Sequence, residues 1–138
     1  DNDLVIDLGN GLDVLTIVGG LANTRVESFE FADGTILGLE QIIDRMLTGT
    51  DADEELIGLN NRNDTLSGGA GSDALEGGGG NDTYRFGFGD GRDSVFDSSG
   101  IDRVVFGAEI TPDNITFANV DGDLVVTLGN NVDRLAIL

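Results

Sequence analysis

The stretch that decides the fold is residues 68–85, which read GGAGSDALEGGGGNDTYR. It contains two consecutive copies of the nine-residue pattern Gly-Gly-x-Gly-x-Asp-x-apolar-x. Glycine adopts positive φ angles at little steric cost, so each copy begins with a backbone suited to a tight bend. Asp73 and Asp82 end the bends, and Leu75 and Tyr84 follow two residues later. A regular period of this kind predicts successive turns of a solenoid, with an apolar side chain from each copy in the core.

Weaker copies of the pattern lie on both sides of this stretch. Upstream, Asp64 stands nine residues before Asp73, and Glu54 takes the same role one copy earlier, with one extra residue between the copies. Downstream, Asp93 and Asp102 are again nine residues apart, after a slip of two residues. A flexible linker rich in glycine, serine and aspartate is the alternative interpretation. A linker has no reason to keep aspartate and apolar residues in register, so the solenoid is favoured.

The regular spacing of the carboxylates predicts a metal site. An aspartate in every turn stacks like charges above one another, and one apolar side chain per turn supplies little core. Carboxylate and backbone carbonyl oxygens are hard donors that suit Ca²⁺. Cations between the bends would remove the repulsion and join the turns, so we expect metal binding and folding to be coupled.

These residues closely resemble the RTX, or haemolysin-type, calcium-binding repeat. The resemblance implies a right-handed parallel β-roll in which Ca²⁺ lies between loop n and loop n+2. It implies a best site between the loop ending at Asp64 and loop 77–82, a second between the loop ending at Glu54 and loop 68–73, and a third between loop 68–73 and residues 90–93. About two ions are expected, within a range of one to three. The implied ligand residues are Glu54, Asn60, Asn61, Asp64, Gly68, Gly69, Ala70, Gly71, Asp73, Gly77, Gly78, Gly79, Gly80, Asp82 and Asp93.

Two departures from the repeat bear on these sites. Residues 59–62 read LNNR where the motif has glycines, and Glu54 stands in place of aspartate. Asp97 falls outside the nine-residue register, so we expect it to affect calcium-linked folding less than Asp82 does.

A second repeat runs at longer range. Residues 1–17 match residues 121–137 at 10 of 17 positions, with an offset of 120 residues. The simplest explanation is that the sequence covers slightly more than one period of a tandem array. The segments VESFEFADGTIL (26–37), NDTYRFGFGDGRDSV (81–95) and ITPDNITF (110–117) also resemble the haemolysin-type calcium-binding-related domain that accompanies RTX repeats.

The predicted fold is mainly β: a short parallel β-roll (β-solenoid) of nonapeptide calcium repeats, flanked by β hairpins and one short capping helix. Residues 4–8 and 12–18 read as strands around a Gly-Asn-Gly turn, and a second hairpin turns at residues 32–34. Apolar residues at helical spacing predict a helix over residues 39–47 that caps the open end of the roll. The predicted segments are 1–47, hairpins and capping helix; 48–104, the RTX β-roll; and 105–138, a C-terminal β-strand segment that begins the next flanking domain.

Composition excludes several classes of function. The chain has 26 acidic and 7 basic residues and a net charge of −19, which disfavours nucleic acid and anionic membrane as partners. It has no cysteine and no histidine, which excludes disulfides, thiolate sites and Ser-His-Asp chemistry. No apolar run approaches membrane-spanning length, so direct membrane insertion is not expected. Paired carboxylates can catalyse glycoside hydrolysis, and several aspartates lie between residues 90 and 102. Nothing beyond their number supports such a role, so the chain is predicted not to be an enzyme.

The predicted function is a calcium-binding module of a secreted or cell-surface repeat protein, exported by type I secretion as the RTX resemblance implies. Calcium would drive folding outside the cell, where extracellular modules bind the ion at about 10⁻⁴ to 10⁻³ M. The expected partners are calcium ions and neighbouring repeats of the same chain. The alternatives are a calcium-dependent polysaccharide-binding or ligand-binding module and a spacer in an adhesin.

Overall fold

A computed structural model describes residues 3–7, 14–17 and 26–138. The chain divides into two compact units, Asp1–Ile42 and Ile43–Leu138. Strands make up most of the regular structure of the described residues, which confirms the predicted mainly-β class.

The described residues of the first unit form two antiparallel hairpins. Strands β1 (Leu4–Asp7) and β2 (Val14–Ile17) form one hairpin, and β3 (Ser28–Glu30) and β4 (Ile36–Gly38) form the other. The second hairpin turns where the sequence predicted, and the Asp33 carboxylate accepts a hydrogen bond of 2.8 Å from the Thr35 amide. The predicted Gly-Asn-Gly turn of the first hairpin lies outside the described residues.

The helix α1 covers Leu39–Met46, close to the predicted 39–47. In its last turn, Ile43 is buried, and so is Leu47, which follows the helix. Residues 47–49 then run along the edge of the next sheet, because the Ser67 amide donates to the Leu47 carbonyl and the Gly49 amide donates to the Ser67 carbonyl. The edge of the sheet is therefore paired by the residues after the helix. No helix in the described ranges is long and apolar enough to cross a bilayer.

Six short strands build a parallel β-roll, as predicted. They are β5 (Glu55–Ile57), β6 (Thr65–Ser67), β7 (Ala74–Glu76), β8 (Thr83–Phe86), β9 (Arg92–Phe96) and β10 (Arg103–Phe106). Successive strands alternate between two sheets, so β6, β8 and β10 pair in one and β5, β7 and β9 in the other. The predicted core residues Leu66, Leu75 and Tyr84 are at most 2% exposed. The nine-residue period thus corresponds to one half-turn of the roll.

The C-terminal residues form an antiparallel meander that is continuous with the roll. After a 3-10 turn (Pro112–Asn114), strands β11 (Ile115–Val120), β12 (Asp123–Leu128) and β13 (Arg134–Ile137) pair in chain order. Strand β13 then pairs in parallel with β9, which makes a six-stranded sheet of order β11-β12-β13-β9-β7-β5. Leu135 of β13 is fully buried. The roll therefore ends against this meander.

Candidate metal centre

The bends between strands form two stacks, one along each edge of the roll. Residues 49–54, 68–73 and 87–91 make the first stack, and residues 58–64, 77–82 and 97–102 make the second. Backbone hydrogen bonds join neighbours within a stack: the Ala70 amide donates to the Thr50 carbonyl (3.0 Å), and the Gly80 amide donates to the Ser99 carbonyl (3.2 Å). Each bend therefore lies on the bend two half-turns away, which is the arrangement that the sequence resemblance implied.

The fourth position of the repeat requires glycine where the bends touch. Gly71 and Gly80 have φ angles of 141° and 143°, which L side chains rarely adopt. A Cβ on Gly71 would lie 2.7 Å from the Ala52 carbonyl oxygen, and a Cβ on Gly80 would meet the Arg62 carbonyl oxygen. In the bend that lacks the glycines, Asn61 takes a positive φ of 64°, which asparagine tolerates better than most residues.

The acidic residue at the end of each bend bonds to the next bend of its stack. In every case a backbone amide donates to a carboxylate Oδ1 about one full turn further along the chain. These bonds run from Glu54 to Asp73 (2.8 Å), Asp73 to Asp93 (3.1 Å), Asp64 to Asp82 (2.7 Å) and Asp82 to Asp102 (2.8 Å). The carboxylates are thus held in two columns, each with one oxygen already in use.

The second oxygen of three of these carboxylates is buried without a protein donor. Among the described residues, Oδ2 of Asp73, Asp82 and Asp93 is buried and has no hydrogen-bond partner. All three side chains are at most 4% exposed. A buried carboxylate oxygen without a partner is costly, and a bound cation removes that cost. Hard anionic oxygens in a glycine-rich bend suit Ca²⁺, so these residues fit the ion.

Burial and mutual repulsion also change the acidity of these groups. Burial raises the pKa of Asp93 to about 7, and the neighbouring carboxylates of Asp73, Asp90 and Asp133 act in the same direction. Burial likewise raises the pKa of Asp73 and of Asp82 above the ordinary value. Without a cation, burial and repulsion therefore disfavour the charged form of these three carboxylates.

A group of three carboxylates lies in the second stack. Oxygens of Asp82, Asp97 and Asp102 lie within 4.8 Å of one another. The Tyr84 hydroxyl donates to Oδ2 of Asp97, which holds that carboxylate beside Asp82. The ligand set predicted from the sequence does not include Asp97 and Asp102. The signal that could have found them is DSSGID (97–102), which keeps glycine at the fourth position and aspartate at the sixth.

Asp64 has a charge partner of its own. Its Oδ1 lies 2.6 Å from Nη1 of Arg62, and its Oδ2 accepts the Leu59 amide at 2.6 Å. The bends 58–64 and 77–82 do lie together, as the best predicted site requires. However, the Arg62 guanidinium already supplies positive charge at Asp64, in a bend where the repeat would have glycine.

Glu54 is likewise engaged within its own bend. Its carboxylate accepts the Thr50 amide at 2.9 Å and the Thr50 hydroxyl. Hydrogen bonds from the Thr50 hydroxyl and amide lower the pKa of Glu54. The local bonds satisfy this carboxylate without an ion, in contrast to Asp73.

The remaining predicted ligand residues divide between the two stacks. The first stack contains Glu54, Gly68, Gly69, Ala70, Gly71 and Asp73, and Asp93 follows its last bend in β9. The second stack contains Asn60, Asn61, Asp64, Gly77, Gly78, Gly79, Gly80 and Asp82. In the second stack, the Asn60 side chain lies close to the bend 77–82: a Cβ added to Gly78 would be 3.3 Å from Oδ1 of Asn60.

Asp133 continues the first stack from a distant part of the sequence. Its carboxylate accepts hydrogen bonds from the amides of Gly89 (2.7 Å) and Gly91 (3.0 Å), and the side chain is buried. Although burial acts to raise the pKa of Asp133, these bonds and one from Asn130 hold it below the ordinary value. The nonapeptide period does not extend to Asp133, so only the pairing of β13 with β9 reveals its place.

The raised pKa values predict how pH acts on the metal-free protein. A carboxyl group whose pKa is higher in the folded than in the unfolded state stabilises the fold at low pH and loses that contribution as pH rises through the folded-state value. For Asp93 the loss falls between about pH 4 and pH 7. We therefore expect protein stripped of metal by dialysis to keep more β-sheet circular dichroism at pH 5 than at pH 8. Asp93→Asn should reduce the difference in circular dichroism between pH 5 and pH 8. A β-sheet signal of the metal-free protein that increases with pH would contradict the prediction.

Comparison with known families agrees with the geometry. The family described as haemolysin-type calcium binding protein related domain matches residues 3–41. The family described as RTX calcium-binding nonapeptide repeat (4 copies) matches residues 48–84 and, in an overlapping second match, residues 59–92. A search of curated proteins finds no match. The β-roll of this chain is therefore built from RTX calcium-binding nonapeptide repeats, and a haemolysin-type calcium binding protein related domain precedes it.

Proposed function

We propose that calcium binding to the β-roll drives folding of this module in a secreted protein that contains further repeats. The RTX repeats mark the chain as a calcium-binding module, and such repeats occur in secreted proteins. The observation that carries the proposal is the set of three buried Oδ2 atoms without a hydrogen-bond partner, on Asp73, Asp82 and Asp93. Extracellular calcium is abundant enough to occupy sites of about 10⁻⁴ to 10⁻³ M affinity.

We place two ions, one in each stack. In the first stack, the ion lies between bend 68–73 and the segment that reaches Asp93, where two of the three unpartnered oxygens occur. In the second stack, it lies at Asp82, Asp97 and Asp102. Glu54 and Asp64 are outside these two sites, because Thr50 and Arg62 already compensate their carboxylates.

Coupling of binding to folding follows from the charge columns. Each turn of the roll has few core residues, and its buried carboxylates repel one another when ionised. Bound calcium turns this destabilising repulsion into a stabilising attraction, because the cation attracts the carboxylates and bridges successive bends. A chain with this property stays unfolded where calcium is scarce and folds where it is plentiful.

The substitution Asp82→Asn tests the proposal. It removes one buried negative charge and one ligand oxygen but keeps the shape of the side chain. We expect the calcium concentration at the midpoint of folding to rise at least tenfold, since loss of an anionic ligand costs more than about 1.4 kcal/mol. In calcium-free buffer, the same change should increase residual structure, because it relieves repulsion from Asp64, Asp97 and Asp102. Circular dichroism during a calcium titration measures both effects.

Asp113→Asn is the matched control, because Asp113 is exposed in the 3-10 turn outside the roll. It removes the same charge and should leave the midpoint unchanged. Equal shifts in the two variants would show that net charge, rather than a site at Asp82, controls folding. If the second-stack ion lies at Asp82, Asp97 and Asp102, Asp97→Asn should raise the calcium midpoint of folding about as much as Asp82→Asn does.

A further inference from the structure

The two hairpins that share a sequence also share a strand register. In the first hairpin, Leu4 pairs with Ile17 and Asp7 with Val14; in the meander, Leu124 pairs with Ile137 and Thr127 with Arg134. Every pair differs by 120 residues, the offset of the sequence repeat. The hairpin β1–β2 is therefore a structural copy of β12–β13.

In the C-terminal copy, the second strand docks on the edge of a β-roll. β13 pairs in parallel with β9, with Leu135 opposite Asp93 and Ile137 opposite Val95. The Arg134 amide donates to the Gly91 carbonyl at 2.7 Å, and the Asp133 carboxylate receives the Gly89 and Gly91 amides. The second strand of this hairpin is thus built to extend the roll by one strand.

In the N-terminal copy, the described residues show no such neighbour for the second strand. β1 and β2 form a two-stranded sheet of their own. Leu15 is 53% exposed, whereas its counterpart Leu135 is 0% exposed; Val5 is 59% exposed, whereas Val125 is 3% exposed. Leu4 shows the opposite difference, since it is 3% exposed and its counterpart Leu124 is 44% exposed.

We propose that β2 is a docking strand for the edge of a second β-roll of this kind, along the strand equivalent to β9. The chain's own β9 edge is already paired with β13, so the edge must come from another copy. Addition of a strand to a sheet edge satisfies backbone groups over its whole length and buries alternate side chains. The sequence also keeps aspartate at position 13, the counterpart of Asp133, although this residue lies outside the described ranges. One hairpin would then end one roll and begin the next module.

A two-copy protein tests the docking directly. Residues 1–120 are joined to a complete second copy, so that residues 1–17 of the second copy stand where residues 121–137 stood. The chain has no cysteine, so one introduced pair reports one contact. Ser94→Cys in the first copy and Thr16→Cys in the second occupy the positions of the observed neighbours Ser94 and Ala136. Neighbouring strands lie close enough for a disulfide, so oxidation in calcium should link the pair.

Two comparisons make the result decisive. The pair Ser94→Cys and Ala136→Cys in the single chain gives the reference extent of linking, and the pair Thr65→Cys and Thr16→Cys, with β6 in the other sheet, gives the background. Linking near the reference supports docking, and linking at background overturns it. Calcium-induced circular dichroism of the same proteins tests the proposed calcium function separately, so the two failures are distinguishable.

A chimera keeps the inference testable if the two-copy protein does not fold. In the single chain, residues 121–137 are changed to the N-terminal residues at six of the seven positions at which they differ from residues 1–17. Gly122 is kept, because its φ of 114° disfavours any side chain. If β2 is a docking strand, the chimera should fold with a calcium midpoint within about tenfold of the parent, because Val126→Ile is the only change at a buried apolar side chain and adds a single methylene. Adding Asp133→Asn to the chimera should raise the midpoint further. A chimera that calcium cannot fold would overturn the inference.

Discussion

Removal of calcium with EDTA should abolish most of the β-sheet circular dichroism of this chain at pH 7.5. The physical reason lies in Asp73, Asp82 and Asp93, which each bury a carboxylate oxygen that accepts no hydrogen bond from the described residues. Taking an ionised carboxylate out of water costs several kcal/mol unless a cation or proton compensates it. Three such groups together are comparable with the margin of about 5–15 kcal/mol by which domains are normally stable. A thermal melt with and without EDTA measures the loss.

Readdition of metals provides the control for this experiment. Excess Ca²⁺ should restore the spectrum, whereas the same concentration of Mg²⁺ should not, because Mg²⁺ demands a small octahedral site and gives up its water reluctantly. An unchanged spectrum in EDTA would contradict a structural role for the ion. Restoration by Mg²⁺ to the same extent would show that screening of the charge, rather than a calcium site, stabilises the roll.

Arg62→Met should destabilise the calcium-bound protein by about 2–4 kcal/mol. Removal of one partner of a fully buried ion pair costs about 3–5 kcal/mol, and the cost is smaller here because Arg62 is partly exposed. The Asp64 side chain is completely buried, and Arg62, which is 25% exposed, provides the only cation within ion-pair distance of it among the described residues. Without Arg62, the Leu59 amide alone compensates the carboxylate. The free energy of unfolding in urea at saturating calcium measures the effect.

The double variant Arg62→Met with Asp64→Asn should recover most of this loss, since the uncompensated charge is then gone. Arg45→Met, on the exposed surface of α1, is the matched control for loss of a basic residue and should change the stability by less than about 0.5 kcal/mol. If Arg62→Met and Arg45→Met have equal effects, Arg62 is not a structural counter-ion.

Local pattern was sufficient to predict a solenoid and several of its core residues, and the RTX resemblance implied the β-roll. Leu66, Leu75 and Tyr84 are buried because strands alternate their faces, so a fixed spacing from each aspartate determines which side chain points inward. The helix and the second hairpin could be predicted for the same reason, since their signals lie within about ten residues of sequence.

The balance of charge around individual carboxylates could not be predicted in this way. Asp64 and Asp82 occupy the same position of the repeat, yet Arg62 pairs with one and Asp97 and Asp102 approach the other. Which long side chain reaches which carboxylate depends on the three-dimensional path of the bends. The repeat pattern therefore does not reveal which charged groups surround the carboxylates of the irregular bends 58–64 and 97–102.

By itself, the nine-residue period of glycine, aspartate and apolar residues indicated a solenoid with the same chemistry at every bend, and its resemblance to the RTX repeat implied a calcium-binding β-roll. Tertiary structure alone decided where the roll ends. Strand β13 reaches β9 across about 40 residues, and Asp133 then receives the amides of Gly89 and Gly91. Pairing between strands so far apart depends on which edge is free and on matching backbone groups, and neither property has a local signature in the sequence.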